Sequence, residues 1–136
     1  MDKLVKKYLL QFKGAQITEV NEYINIAFLL KNNNMRYIQL DGNFRLFLTC
    51  QMVFTKSELK EINNLRKYIN GAIVKNITIG KFNDLTIKFE QGILLQIIVD
   101  SMIYENWVIN QDVICLPGGE ITHFLKPLNK ARNTPK

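Results

Sequence analysis

Apolar and polar residues along this chain recur in two different periods, and the switches between the periods mark its elements. Leu4, Val5, Tyr8, Leu9 and Phe12 fall on one helical face, and Gly14 follows where a left-handed residue ends a helix. A second stripe, Leu59, Ile62, Leu65 and Ile69, is preceded by Thr55 and Glu58 at capping-box spacing and closed by Gly71. Elsewhere the period is two. Ile24-Ile26-Phe28-Leu30, Ile38-Leu40, Leu85-Ile87-Phe89 and Leu95-Ile97-Val99 each predict a strand. Asn32-Asn33-Asn34 and Glu90-Gln91-Gly92 stand at hairpin-turn positions. Residues 93–99 are almost continuously apolar, which predicts a strand buried on both faces.

The pattern also repeats. Around Gly14-Ala15 and Gly71-Ala72 it recurs at an offset of 57: Val5, Tyr8 and Phe12 match Ile62, Leu65 and Ile69, while Ile17 and Val20 match Val74 and Ile77. After a two-residue insertion, Ile26, Phe28 and Leu30 match Leu85, Ile87 and Phe89. Ser101 to Asn110 and Val113 to Phe124 then predict further hairpins, turning at Asn110-Gln111-Asp112 and at Pro117-Gly118-Gly119. The expected fold class is α+β. It consists mainly of antiparallel β meanders from two repeated α-βββ units (about 1–56 and 57–110), plus a C-terminal hairpin and two covering helices. One domain is expected over 1–126, with a basic flexible tail at 127–136.

The chemistry offered by these elements is sparse. One histidine, His123, and two cysteines, Cys50 and Cys115, give no cluster of metal ligands, so no metal or cofactor is expected. Both cysteines sit on segments that read as strands and are expected to be reduced and buried. Asp41 and Asp100 occupy matching places in the two units. As an acid pair they would suit general acid–base work; as strand-end aspartates they would accept hydrogen bonds from turn amides. Gly118-Gly119 lacks the following helix that a phosphate cradle uses, and reads as a turn. No nucleophile elbow, phosphate loop or dinucleotide fingerprint occurs, and the chain is expected not to be an enzyme.

The net charge of +6 changes the picture once it is located. Residues 1–13 carry +3 and residues 126–136 carry +4, so the body between them is −1. The stretch 84–125 holds Asp84, Glu90, Asp100, Glu105, Asp112 and Glu120 against Lys88 alone. Such a surface either is simply solvated or steers a basic partner. Trp107 reads as a core residue or, rimmed by Tyr104, Glu105 and Glu120, as an interface anchor. The longest apolar runs fall far short of the roughly 20 residues of a membrane span, and the N-terminus lacks an apolar signal core. A cytosolic location without membrane association is therefore expected.

Tyr104-Glu105-Asn106-Trp107 and Cys115-Leu116-Pro117-Gly118-Gly119-Glu120-Ile121 carry a resemblance. The chain resembles a little-characterised family of small bacterial two-unit β-rich proteins with a Tyr-Glu-x-Trp strand and a Pro-Gly-Gly-Glu turn. The resemblance spans about Gly14 to Phe124. Several members resemble immunity proteins of polymorphic or contact-dependent toxins, including toxins that cut RNA or DNA. The resemblance implies a non-catalytic inhibitor that binds a cognate toxin in the cytosol. The chain departs from the acidic character common among nuclease inhibitors, because its ends are basic.

On this reading the contact candidates are Glu90, Asp100, Glu105, Trp107, Asp112 and Glu120. The alternative is a nucleic-acid-binding or accessory protein that uses the basic termini as arms. An enzyme would instead need a polar pocket holding Asp41, Asp100 or Cys115. A homodimer through an exposed sheet edge is a further expectation.

Overall fold

In a computed structural model, residues 2–126 are described; the expected tail at 127–136 lies outside them. Among the described residues, eleven strands and two short helices form an α+β fold with two antiparallel sheets.

The chain opens with α1 (Lys3–Leu9), which continues as one 3-10 turn through Phe12. Asp2 caps it by accepting the Leu4 amide at 2.7 Å. Val5, Leu9 and Phe12 turn inward, as their spacing requires. Gly14, at φ +81°, then redirects the chain into β1 (Gln16–Val20), β2 (Asn25–Leu29) and β3 (Met35–Leu40). A hairpin of β4 (Phe44–Leu48) and β5 (Gln51–Thr55) precedes α2 (Asn63–Ile69). Gly71, also at φ +81°, leads into β6 (Val74–Ile79), β7 (Leu85–Phe89) and β8 (Ile93–Ile97). The short strands β9 (Trp107–Ile109), β10 (Val113–Cys115) and β11 (Ile121–His123) complete the order.

Sheet pairing does not follow the order along the chain. The first sheet runs β1-β2-β3-β9-β10-β11 and the second runs β5-β4-β8-β7-β6. The β4–β5 hairpin thus leaves the strands that precede it and pairs through β4 with β8, whereas β9 leaves β8, pairs with β3 and carries β10 on its other side. Neither expected α-βββ unit is a self-contained sheet. The span 1–56 contains five strands rather than three, and its last two belong to the other sheet.

The two sheets are tied where β1 and β6 begin. Gly14 donates to the Val74 carbonyl and Val74 to the Ala15 carbonyl; Gly71 donates to the Ile17 carbonyl and Ile17 to the Ala72 carbonyl. These four bonds, at 2.8–2.9 Å, flank an isolated bridge between Gln16 and Ile73. Each strand also bulges just beyond the junction, between Ile17 and Glu19 and between Val74 and Asn76.

One continuous core fills the space between the sheets. Its largest fully buried side chains include Trp107, Phe12, Phe28 and Phe44, with Phe12 and Phe28 meeting edge to face at 5.4 Å. Burial of this apolar surface is the main stabilising term.

Several local expectations change. The 93–99 segment is buried on one face only: Ile93, Leu95 and Ile97 point inward, while Leu94 and Gln96 lie half-exposed on an outer face no helix covers. Thr55 and Glu58 do form a capping box, but it closes the 3-10 turn Lys56–Glu58, and α2 starts later. Cys50 is exposed in the β4–β5 turn at φ +67°, whereas Cys115 is buried. Among the described residues, no helix is long and apolar enough to cross a membrane.

Candidate protein-binding surface

The ends of six strands deliver three loops to one end of the sheets. They are the 80–84 turn between β6 and β7, the 98–106 loop between β8 and β9, and the 116–120 turn between β10 and β11. The residues between β8 and β9 were expected to be extended from Ser101 onward. Met102 and Ile103 are consecutive apolar residues, and on a strand they would face opposite ways. In the structure the backbone bends instead. The Ser101 hydroxyl accepts the amides of Ile103 and Tyr104 at 3.3 and 2.9 Å, and the strand begins only at Trp107.

Asn106 holds this loop from beneath. It is the one fully buried polar residue among those described. Its side chain accepts from the Asp100 amide at 3.1 Å and donates to the Leu116 carbonyl at 3.1 Å. Its own carbonyl accepts the Gly42 amide at 2.7 Å. A buried amide is tolerated only when it is satisfied this way.

Further bonds join the neighbouring turns. Asn83 donates to the Gly119 carbonyl at 2.8 Å, Gly118 donates to the Ser101 carbonyl at 2.8 Å, and the Val99 amide donates to the Asp84 carboxylate at 2.8 Å. At Gly119, φ is +97° and a side chain would strike Val99, so the Pro117-Gly118-Gly119 turn admits only glycine there.

The result is a braced platform that exposes apolar side chains. Phe82, Met102, Ile103 and Tyr104 are each more than two-thirds exposed. Lys81 lies over the Phe82 ring at 5.6 Å. Exposed apolar residues gathered on one surface are a mark of an interaction site. Acidic residues rim them: Asp100, Glu105 and Glu120 are all exposed on these same loops.

Three of the six contact candidates therefore come together, and three do not. Trp107 is a correction: it is wholly buried, with its indole N–H donating to the Asn83 carbonyl at 3.0 Å, and no partner can reach it. Its bulk fills the core where β9 crosses beneath the loops. Asp112 sits at the opposite end of β10, half-buried, accepting from the Tyr8 hydroxyl at 2.7 Å and from the Asn110 amide at 3.1 Å. Burial, together with that carboxylate, holds the Tyr8 hydroxyl well above the ordinary phenol range. Glu90 is exposed, but at the β7–β8 turn, away from the platform.

The remaining reactive groups are dispersed. Burial, assisted by the Asp84 carboxylate, pushes the Cys115 thiol up to about 11. Asp41 accepts from the Gln39 amide at 2.8 Å. The amide-capping role expected of Asp100 is filled by Asn106 and Asp84 instead. Phe82, Met102 and Ile103 were not recognised in the sequence. The clue to them was the adjacent pair Met102-Ile103 within a stretch otherwise read as alternating. No family model, no curated protein and no solved structure matches this chain.

Proposed function

We propose that the chain is a non-catalytic binding protein that seats another protein on the Phe82–Met102–Ile103–Tyr104 platform. The observation that carries this reading is the combination of exposure and bracing. These side chains are left in water, yet the backbone beneath them is fixed by Asn106 and the cross-loop bonds. A surface ordered before binding loses little conformational freedom when a partner docks. Aromatic and large apolar side chains supply most of the energy of such contacts. Asp100, Glu105 and Glu120 around the rim favour a partner with basic residues near its own apolar patch.

Within that reading, the resemblance at Tyr104-Glu105-Asn106-Trp107 and at the Pro117-Gly118-Gly119 turn supports an immunity protein, one that blocks a cognate bacterial toxin in the cytosol. A standard interface of about 800 Å² per partner is within reach of a chain this size. The test is co-expression with the product of the adjacent reading frame. A growth defect caused by that product should be relieved by the wild-type chain and not by the Ile103→Asp or Tyr104→Ala variants. A neighbour that is harmless, or one equally neutralised by both variants, removes the reading.

A further inference from the structure

The sequence places positive charge at the two ends of the chain, but the fold collects lysines from its interior as well. Lys3, Lys6 and Lys7 project from α1, Lys13 follows it, Lys31 comes from the β2–β3 turn and Lys75 from β6; all six are exposed. They border two adjoining hollows of about 570 and 430 Å³ between α1 and β6. Leu9, Leu10 and Ile77 line both hollows and give them an apolar floor. Leu10 is 70% exposed, which is unusual for a leucine in the helical segment that covers a sheet.

We propose that this groove is a second docking surface, for an acidic amphipathic polypeptide segment. Three observations carry the proposal. First, the charge is unneutralised. Among the described residues the one ion pair joins Asp2 and His123, and the sole acid lining either hollow is Glu90. Second, the floor is apolar and aliphatic. A nucleic-acid strand would leave Leu10 and Ile77 uncovered and find no aromatic ring on which to stack its bases. A segment alternating carboxylates with aliphatic side chains matches both features at once. Third, β6 is the end strand of its sheet, and its backbone bonds to the β1 segment are confined to its first residue, Val74, beside the Gln16–Ile73 bridge. Beyond that bridge no strand pairs with its outer edge, and the two hollows lie between it and α1.

The groove shares no residue with the loop platform, so the proposal stands independently of the function assigned above. The experiment uses the full chain and three fluorescein-labelled probes: a short peptide alternating glutamate and leucine, its counterpart with serine for leucine, and a single-stranded DNA oligomer. Fluorescence anisotropy at physiological salt should show the Glu/Leu peptide binding about tenfold or more tightly than the other two. The double variant Lys6→Glu, Lys75→Glu should weaken that binding at least about tenfold, while Tyr104→Ala leaves it unchanged. All three altered positions are exposed, and an unchanged circular dichroism spectrum confirms that each variant folds. Equal binding of the Glu/Ser peptide, tighter binding of the DNA, or a double variant that binds like wild type would each overturn the proposal.

Discussion

Asn106 grips Ser101 from both sides: its Oδ1 accepts the Ser101 amide at 2.9 Å while its Nδ2 donates to the Ser101 carbonyl at 3.4 Å. Replacing Asn106 with leucine keeps the volume but orphans the Asp100 and Ser101 amides. We expect about 2–3 kcal/mol of lost stability in urea unfolding, with faster amide exchange at Asp100 and Ser101 than elsewhere. Exchange that rises uniformly across the chain would show that the residue does not hold the loop in particular.

Trp107 offers a test that separates core from contact. Its truncation to alanine should cost about 3–5 kcal/mol, because a filled site at the junction of β3, β9 and β10 becomes a cavity. In the wild type its emission should be blue-shifted and should stay fixed when a partner binds. A partner-induced shift would contradict the burial seen here.

The two thiols should behave oppositely. At pH 8, Cys50 in its exposed turn should react with a thiol reagent within minutes, and Cys115 only after denaturation. Because the folded state holds the Cys115 proton up to about 11, against 9.0 for the free thiol, its contribution to stability is full below 9. It then falls as the pH rises toward 11. Cys115→Ala should flatten that alkaline limb, and an unaltered limb would refute the assignment.

Asp2 governs the acid side. Its carboxylate is held below the ordinary value first by the hydrogen bond to His123, at 2.8 Å, and next by the Leu4 amide. A depressed carboxylate stabilises the fold above its unfolded value and loses that contribution as the pH drops through the lowered one. Asn also caps helices, so Asp2→Asn removes the charge while keeping the cap. The variant should lose less stability than wild type between pH 5 and pH 2 in denaturant melts.

How much of this was legible in the sequence depends on the range of the interactions involved. Val5, Leu9 and Phe12 announced a helix, and Gly14 its end, because both signals are local. The β2–β3, β7–β8 and β9–β10 turns were likewise readable from short runs of Asn, Gln and Gly. The β4–β5 hairpin was missed. Its turn, Thr49-Cys50, uses left-handed φ at two residues that rarely adopt it, so the usual Asn-Gly signal is absent. Phe47 of this hairpin lies on the outer face of its sheet, opposite Met52 and Leu94. The platform was half visible. The acids at Asp100, Glu105 and Glu120 could be picked out by charge, but their gathering with Phe82 depends on pairings between distant strands that no short window contains. Trp107 carried both a core and an interface reading, and only its position under the loops separates them.

The crossed pairing of β4 with β8 and of β3 with β9 bears on how the molecule comes into being. As the chain leaves the ribosome, β3 has no neighbour on one side until residue 107 has emerged, and the β4–β5 hairpin waits for residue 93. Neither sheet can therefore close until these later strands have been made, and partly made chains expose strand edges meanwhile. Loop closures this long also slow the folding search. The same crossing fastens each half to the other, so the finished protein should melt as one unit, with no half surviving alone.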